Sequence, residues 1–206
     1  MKERIKIAVL VSGGGTNLQA LIDAENTGVI SSGKISLVVS NNSNAYALER
    51  AEKAGIASAV LLKSECGGQE AFENRLIGLL NDNGIELIVL AGFMSILSEK
   101  FTKTFEQRII NVHPSLIPAF CGKGFYGLKV HEAALNYGVK VTGATVHYVN
   151  EIPDGGEIIM QKAVKIKKND TAEVLQKRVM QEAEWKILPR ATESVCKKLS
   201  NAKGCF

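Results

Sequence analysis

An asparagine and a histidine two residues apart close an apolar run in "IINVHPSLIPAF", Ile109 to Phe120. Pro114 and Pro118 cannot donate to a sheet ladder and discourage helix in the residues before them. Asn111 and His113 therefore stand where a strand gives out, and in extended chain their side chains point the same way. An amide donor beside a titratable imidazole suits stabilising and protonating a developing oxyanion. Taken alone, a histidine before proline is more often a capped loop residue. Asp154, in "EIPDGG", offers a carboxylate that could tune His113 and collect a proton, although Asp before two glycines is also ordinary turn chemistry.

A second group is "SGGGTN", Ser12 to Asn17, between an apolar strand and a helix. Glycines allow close backbone approach, and the N–H groups of a helix N-terminus point at whatever binds there. The bland alternative is a tight strand–helix turn. A dinucleotide fits poorly, because Leu18 stands where a third small residue belongs and the next strand ends in "SNN" without an acid. No GK[ST] follows, so a single phosphomonoester is the better expectation. His113, His131 and His147 show neither HxH nor HExxH spacing, and no metal site is expected. His131 falls in an amphipathic helix, where a surface role is expected. Covalent catalysis by Cys121 or Ser115 would lack a sequence-local base.

These residues need a frame. With 206 residues, 46% of them hydrophobic, the chain can bury a core as one domain or two small ones. The net charge of +4 comes partly from lysines scattered near the C-terminus. No basic stripe is interleaved with aromatics, which argues against a nucleic-acid partner. Cys66, Cys121, Cys196 and Cys205 include no CxxC pair and read as free thiols in a reducing cytosol. The apolar part of "MKERIKIAVLVSGGG" is too short for a signal peptide, and no run approaches the ~20 apolar residues of a membrane span. A soluble, cytoplasmic protein without a membrane partner is expected.

Strand-like runs alternate with helical ones: "IKIAVLV", "ISLVVS", "ASAVLL", "LIVLAGF" and "RIINV" are separated by helices at "LQALIDA", "NAYALERAEKAG", "QEAFENRLIGLLNDNG" and "SEKFTKTF". Asn44 is placed as an N-cap and Gly55 past the end of its helix. Continuous apolar strands between helices indicate a parallel sheet covered on both faces. After the prolines and the helix "HEAALNYG", "KVTGATVHYVN" and "EIIMQKAVKI" are expected as an antiparallel hairpin. A long last helix is interrupted by Pro189. The expected fold is α/β, a single Rossmann-like domain with a mostly parallel sheet and a C-terminal antiparallel extension.

Taken together, the blocks "VLVSGGGTNLQALIDA", "VVSNNSNAYALERAEKAGI", "VLAGFMSILS", "INVHPSLIPAFCGKGFYGLKVHEAAL" and "GATVHYVNEIPDGGEII" make the chain resemble the phosphoribosylglycinamide formyltransferases over nearly its whole length. The "NVHPSLIP" block is shared with other 10-formyltetrahydrofolate enzymes; the glycine loop and short chain narrow the resemblance. It implies one domain over 1–206, with a phosphate-binding half to about residue 100 and a folate and catalytic half after it. It implies that Asn111, His113 and Asp154 are catalytic, with His113 protonated and His147 and Ser115 supporting. Gly15, Thr16, Asn17 and Glu184 would hold the phosphoribosylglycinamide. Met94, Ser95, Ile96 and Leu97 would line the folate pocket, with Asn150, Glu151, Ile152, Pro153 and Asn111. The implied co-substrate is 10-formyltetrahydrofolate, without metal, in a monomer or homodimer acting on small molecules. Gln69 stands where many members carry Arg, a departure that bears on one folate contact. Two other readings stay open: formyl transfer to a different amine, and a phosphometabolite-binding module without turnover.

Overall fold

A computed structural model describes residues 3–203. Five parallel strands carry the framework: β1 (Ile5–Val11), β2 (Gly33–Ser40), β3 (Ser58–Val60), β4 (Leu87–Leu90) and β5 (Ile109–His113). The antiparallel strands β6 (Val141–Tyr148) and β7 (Ile158–Lys165) extend the sheet. The order is β3-β2-β1-β4-β5-β6-β7, so the chain reverses direction across the sheet between β1 and β4. Ligands of open α/β sheets bind beyond the carboxyl ends of strands at such a switch point. The Met94 N–H donates to Ser12 Oγ across it at 2.7 Å.

Period-two alternation splits the core. Ile5, Ile7, Val9 and Val11 pack on one face with α1 (Thr16–Asn26) and α7 (Trp185–Lys203), while Ala8 and Leu10 face α3 (Gln69–Asp82) and α4 (Glu99–Thr104). The remaining helices are α2 (Tyr46–Lys53), α5 (Leu128–Tyr137) and α6 (Ala172–Val179), the last joined to α7 by a π turn at Met180–Glu184. This is the α/β domain with a mixed sheet that the sequence pattern predicts.

Three local expectations are corrected. Asn44 does not cap α2; Ala45 holds that position, and Asn42 Oδ1 instead accepts the Asn44 N–H in an Asx turn. Pro189 lies inside a continuous α7, and the irregularity sits upstream at the π turn. Proline cannot donate to the Trp185 carbonyl one turn earlier, and the wide turn ends at that residue. The strands "ASAVLL" and "LIVLAGF" are shorter than their apolar runs, the second ending before Gly92 at φ 75°. Cys66, Cys121 and Cys196 are free; Cys205 lies outside the described residues.

Candidate active site

A cleft of about 790 Å³ opens at the carboxyl ends of β4 and β5. Antiparallel pairing of β5 with β6 sets Asn111 opposite His147 and His113 opposite Thr145. The β6–β7 connection then brings Asp154 to both imidazoles. His113 Nδ1 lies 3.4 Å from Asp154 Oδ2, and His147 Nε2 lies 3.6 Å from Oδ1. The Gly122 N–H donates to Oδ2 at 2.8 Å. Asp154 itself has φ 57°, a left-handed conformation that Asp and Asn tolerate best after glycine. A Cβ on Gly156 would collide with the Tyr148 carbonyl, and one on Gly155 would meet Ile152 Cγ2 at 2.6 Å. Both glycines are thus needed for the turn that aims Asp154.

Hydrogen-bond chemistry assigns the ring protons. His113 Nε2 is 2.8 Å from the Phe120 carbonyl, which can only accept, so Nε2 carries hydrogen and Nδ1 faces Asp154. His147 Nδ1 likewise donates to the Tyr148 carbonyl at 2.8 Å. Its Nε2 then accepts from Asn111 Nδ2 at 3.3 Å, leaving the second amide hydrogen for a ligand. Burial lowers the His113 pKa, against the opposing pull of the Asp154 charge and the Phe120 carbonyl. In the free site burial favours the neutral ring, while the Asp154 charge beside it favours the imidazolium. Burial alone would raise the Asp154 carboxyl, but the neighbouring His147 and His113 rings and the Gly122 N–H together hold it below its ordinary value.

A second polar pair faces the same cleft. Asn17, in the first turn of α1, donates from Nδ2 to Glu184 Oε2 at 2.7 Å, joining residues far apart in the chain. Asn17 Oδ1 is buried without a partner among the described residues. Burial pushes Glu184 up to about 7, and the Asn17 hydrogen bond opposes that rise. Gly15 precedes α1 at φ 69°, and a Cβ there would lie 2.6 Å from Ala47 Cβ, so only glycine fits.

Asn17, Glu184, Met94 to Leu97, Asn111, His113, His147 and Asn150 to Asp154 all line the cleft. Gly15 and Thr16 do not. Thr16 faces an adjoining groove of about 490 Å³ with Arg50, Lys186 and Arg190. Arg50 Nε donates to the Gly14 carbonyl at 2.8 Å and pins the glycine loop. Ser115 is buried outside the cleft. Its hydroxyl donates to the Ala119 carbonyl at 2.5 Å, bracing the loop that presents the Phe120 carbonyl to His113. Gln69 Nε2 donates to the Ile96 carbonyl at 3.0 Å and to Glu73 at 2.6 Å, tying α3 to the Met94–Leu97 wall. Among the described residues no three His, Cys, Asp or Glu side chains gather where they could hold a metal ion.

Sequence reasoning misplaced His131. It is fully buried and lines the cleft instead of facing solvent. Its neighbours Val130 and Ala134 mark the apolar face of α5, and that spacing was the available signal. Gln176 and Met180 in the same wall carried no chemical signature.

The family model described as formyl transferase matches residues 5–192. This chain belongs to the formyl transferase family. Within that family it is 42% identical to the phosphoribosylglycinamide formyltransferase of Haemophilus influenzae, over 89% of this chain and 84% of the relative. It is 44% identical to the chicken (Gallus gallus) trifunctional purine biosynthetic protein adenosine-3 over 93% of this chain, but spans only 18% of that protein's length. The solved structure of glycinamide ribonucleotide transformylase 1 from Symbiobacterium toebii superposes with a TM-score of 0.89 at 39% identity, covering 95% of this chain and 89% of the other. The formyl transferase fold thus extends to the mixed sheet and its antiparallel edge.

Proposed function

We propose that this formyl transferase moves the formyl group of 10-formyltetrahydrofolate to the amine of phosphoribosylglycinamide, a step of purine biosynthesis. The observation that carries the reading is Asp154 set between His113 and His147, with Asn111 alongside, in one cleft with the Asn17–Glu184 pair. A bare phosphometabolite-binding module has no use for that cluster. Exposed Met94, Ile96 and Ile152 give one side of the cleft an apolar rim suited to a flat folate ring. The α1 N-terminus, with Gly15 and Thr16 beside it, suits a phosphate.

The amine attacks the formyl carbon, and the carbonyl becomes a tetrahedral oxyanion. Asn111's free amide hydrogen stabilises that charge. The amine must lose one proton and the folate nitrogen must gain one, so the transfer needs no net acid or base. His113 Nδ1 takes and returns that proton, and the Asp154 carboxylate stabilises the imidazolium while it exists. Glu184 and Asn17 Oδ1 accept from the substrate's amine end.

The direct test is an absorbance assay of deformylation with purified protein. Turnover is expected only when phosphoribosylglycinamide is present; turnover with another amine alone would overturn the substrate assignment, and binding without turnover would select the binding-module reading.

A further inference from the structure

His131 is a buried titratable group lining the cleft that this mechanism leaves unused. α5 turns Val130, His131 and Ala134 inward and packs against α6. The ring shares the cleft wall with His113 and with Gln176, Met180 and Glu184, which follow on α6 and the π turn. Neither Nδ1 nor Nε2 has a hydrogen-bond partner among the described residues, although the side chain is fully buried. Burial, reinforced by nearby His113, lowers its pKa to about 4. At neutral pH the ring is uncharged, with one N–H donor and one acceptor nitrogen. Buried polar groups are nearly always bonded, and two orphaned nitrogens in one ring are a cost that an apolar residue would avoid.

We propose that His131 is a substrate-binding residue, whose imidazole takes a hydroxyl or amide group of the amine substrate by one donated and one accepted hydrogen bond. This rests on the proposed function. The ring sits near His113 on α5, and α5 packs against α6, which leads into the turn bearing Glu184; that neighbourhood assigns it to the amine substrate rather than the formyl donor.

The test compares wild type with His131→Leu, His131→Asn and His131→Gln, by calorimetric binding of phosphoribosylglycinamide and by steady-state kinetics. His131→Leu is expected to weaken amine-substrate affinity about 10- to 100-fold, the loss for a buried hydrogen bond. KM for the formyl donor should stay unchanged. Tm should hold or rise, because two orphaned polar atoms leave the interior. One amide variant should recover affinity: Asn if Nδ1 makes the contact, Gln if Nε2 does. Unchanged affinity in His131→Leu would overturn the inference, since the ring would then serve only a trapped water. Equal weakening of both substrates with a lowered Tm would also overturn it, as a structural role. Should wild type bind this amine yet transfer no formyl to it, the catalytic reading fails, and the affinity comparison still decides for His131.

Discussion

Asp154 and Glu184 line one cleft, and their surroundings push them in opposite directions. Asp154 is ringed by two imidazoles and a backbone N–H, which outweigh its burial and hold it ionised. Glu184 has a single amide for company, and burial carries it up to about 7. One carboxylate is thus a fixed negative charge that can support an imidazolium. The other is a poised acceptor whose charge is completed by what binds. Desolvation acts on both; the number of partners decides which way each one goes.

The strongest way to break the Asp154 side is to remove the groups around it. His113→Ala and Asn111→Ala are each expected to lower kcat by ~10² to 10³ while leaving substrate affinities much less affected, because both act on charge that develops in the transition state. Steady-state kinetics with separate binding isotherms check this, and a variant with near-normal kcat would take its residue out of the mechanism.

Stability against pH sharpens the contrast further. Glu184 has a raised folded pKa, so its contribution is present below its ordinary 4.5 and is lost as pH climbs through about 7. Asp154 has a lowered one, so its contribution is present above its ordinary 3.8 and is lost as pH falls through the folded value. Glu184→Gln should therefore flatten the decline in stability between about pH 4.5 and 7, an effect on the order of a few kcal/mol. Thermal melts across that range measure it; parallel curves for variant and wild type would show that Glu184 is not buried as described. Ser115→Ala should do least, costing about 1 kcal/mol for one hydrogen bond and reducing kcat modestly by loosening the Phe120 carbonyl behind His113. Denaturant melts and kcat together test it.

The sheet was readable in advance because its strands are continuous apolar runs and its turns carry glycine, signals that are local in sequence. Asn111 and His113 were readable for the same reason: two prolines mark the strand end that presents them. The placing of His147 opposite Asn111 was not, since it depends on the register of β5 against β6, which no local pattern encodes. The Asn17–Glu184 bond spans almost the whole chain and was not anticipated; family likeness had placed the two residues at the substrate separately. The sign of the His113 shift was also out of reach, because it depends on how much water the finished fold excludes. His131 was misjudged because a histidine looks polar, whereas its position on α5 beside Val130 follows the apolar stripe.

Asp154→Asn separates a turn residue from a catalytic one. Asparagine accepts the left-handed backbone at φ 57° and can still accept the Gly122 N–H, so the fold should survive. What it removes is the negative charge between His113 and His147. The account predicts a variant that melts within a few degrees of wild type and binds both substrates, with kcat reduced by about 10²-fold or more. Normal melting with normal kcat would contradict it, leaving Asp154 as part of a turn and nothing else.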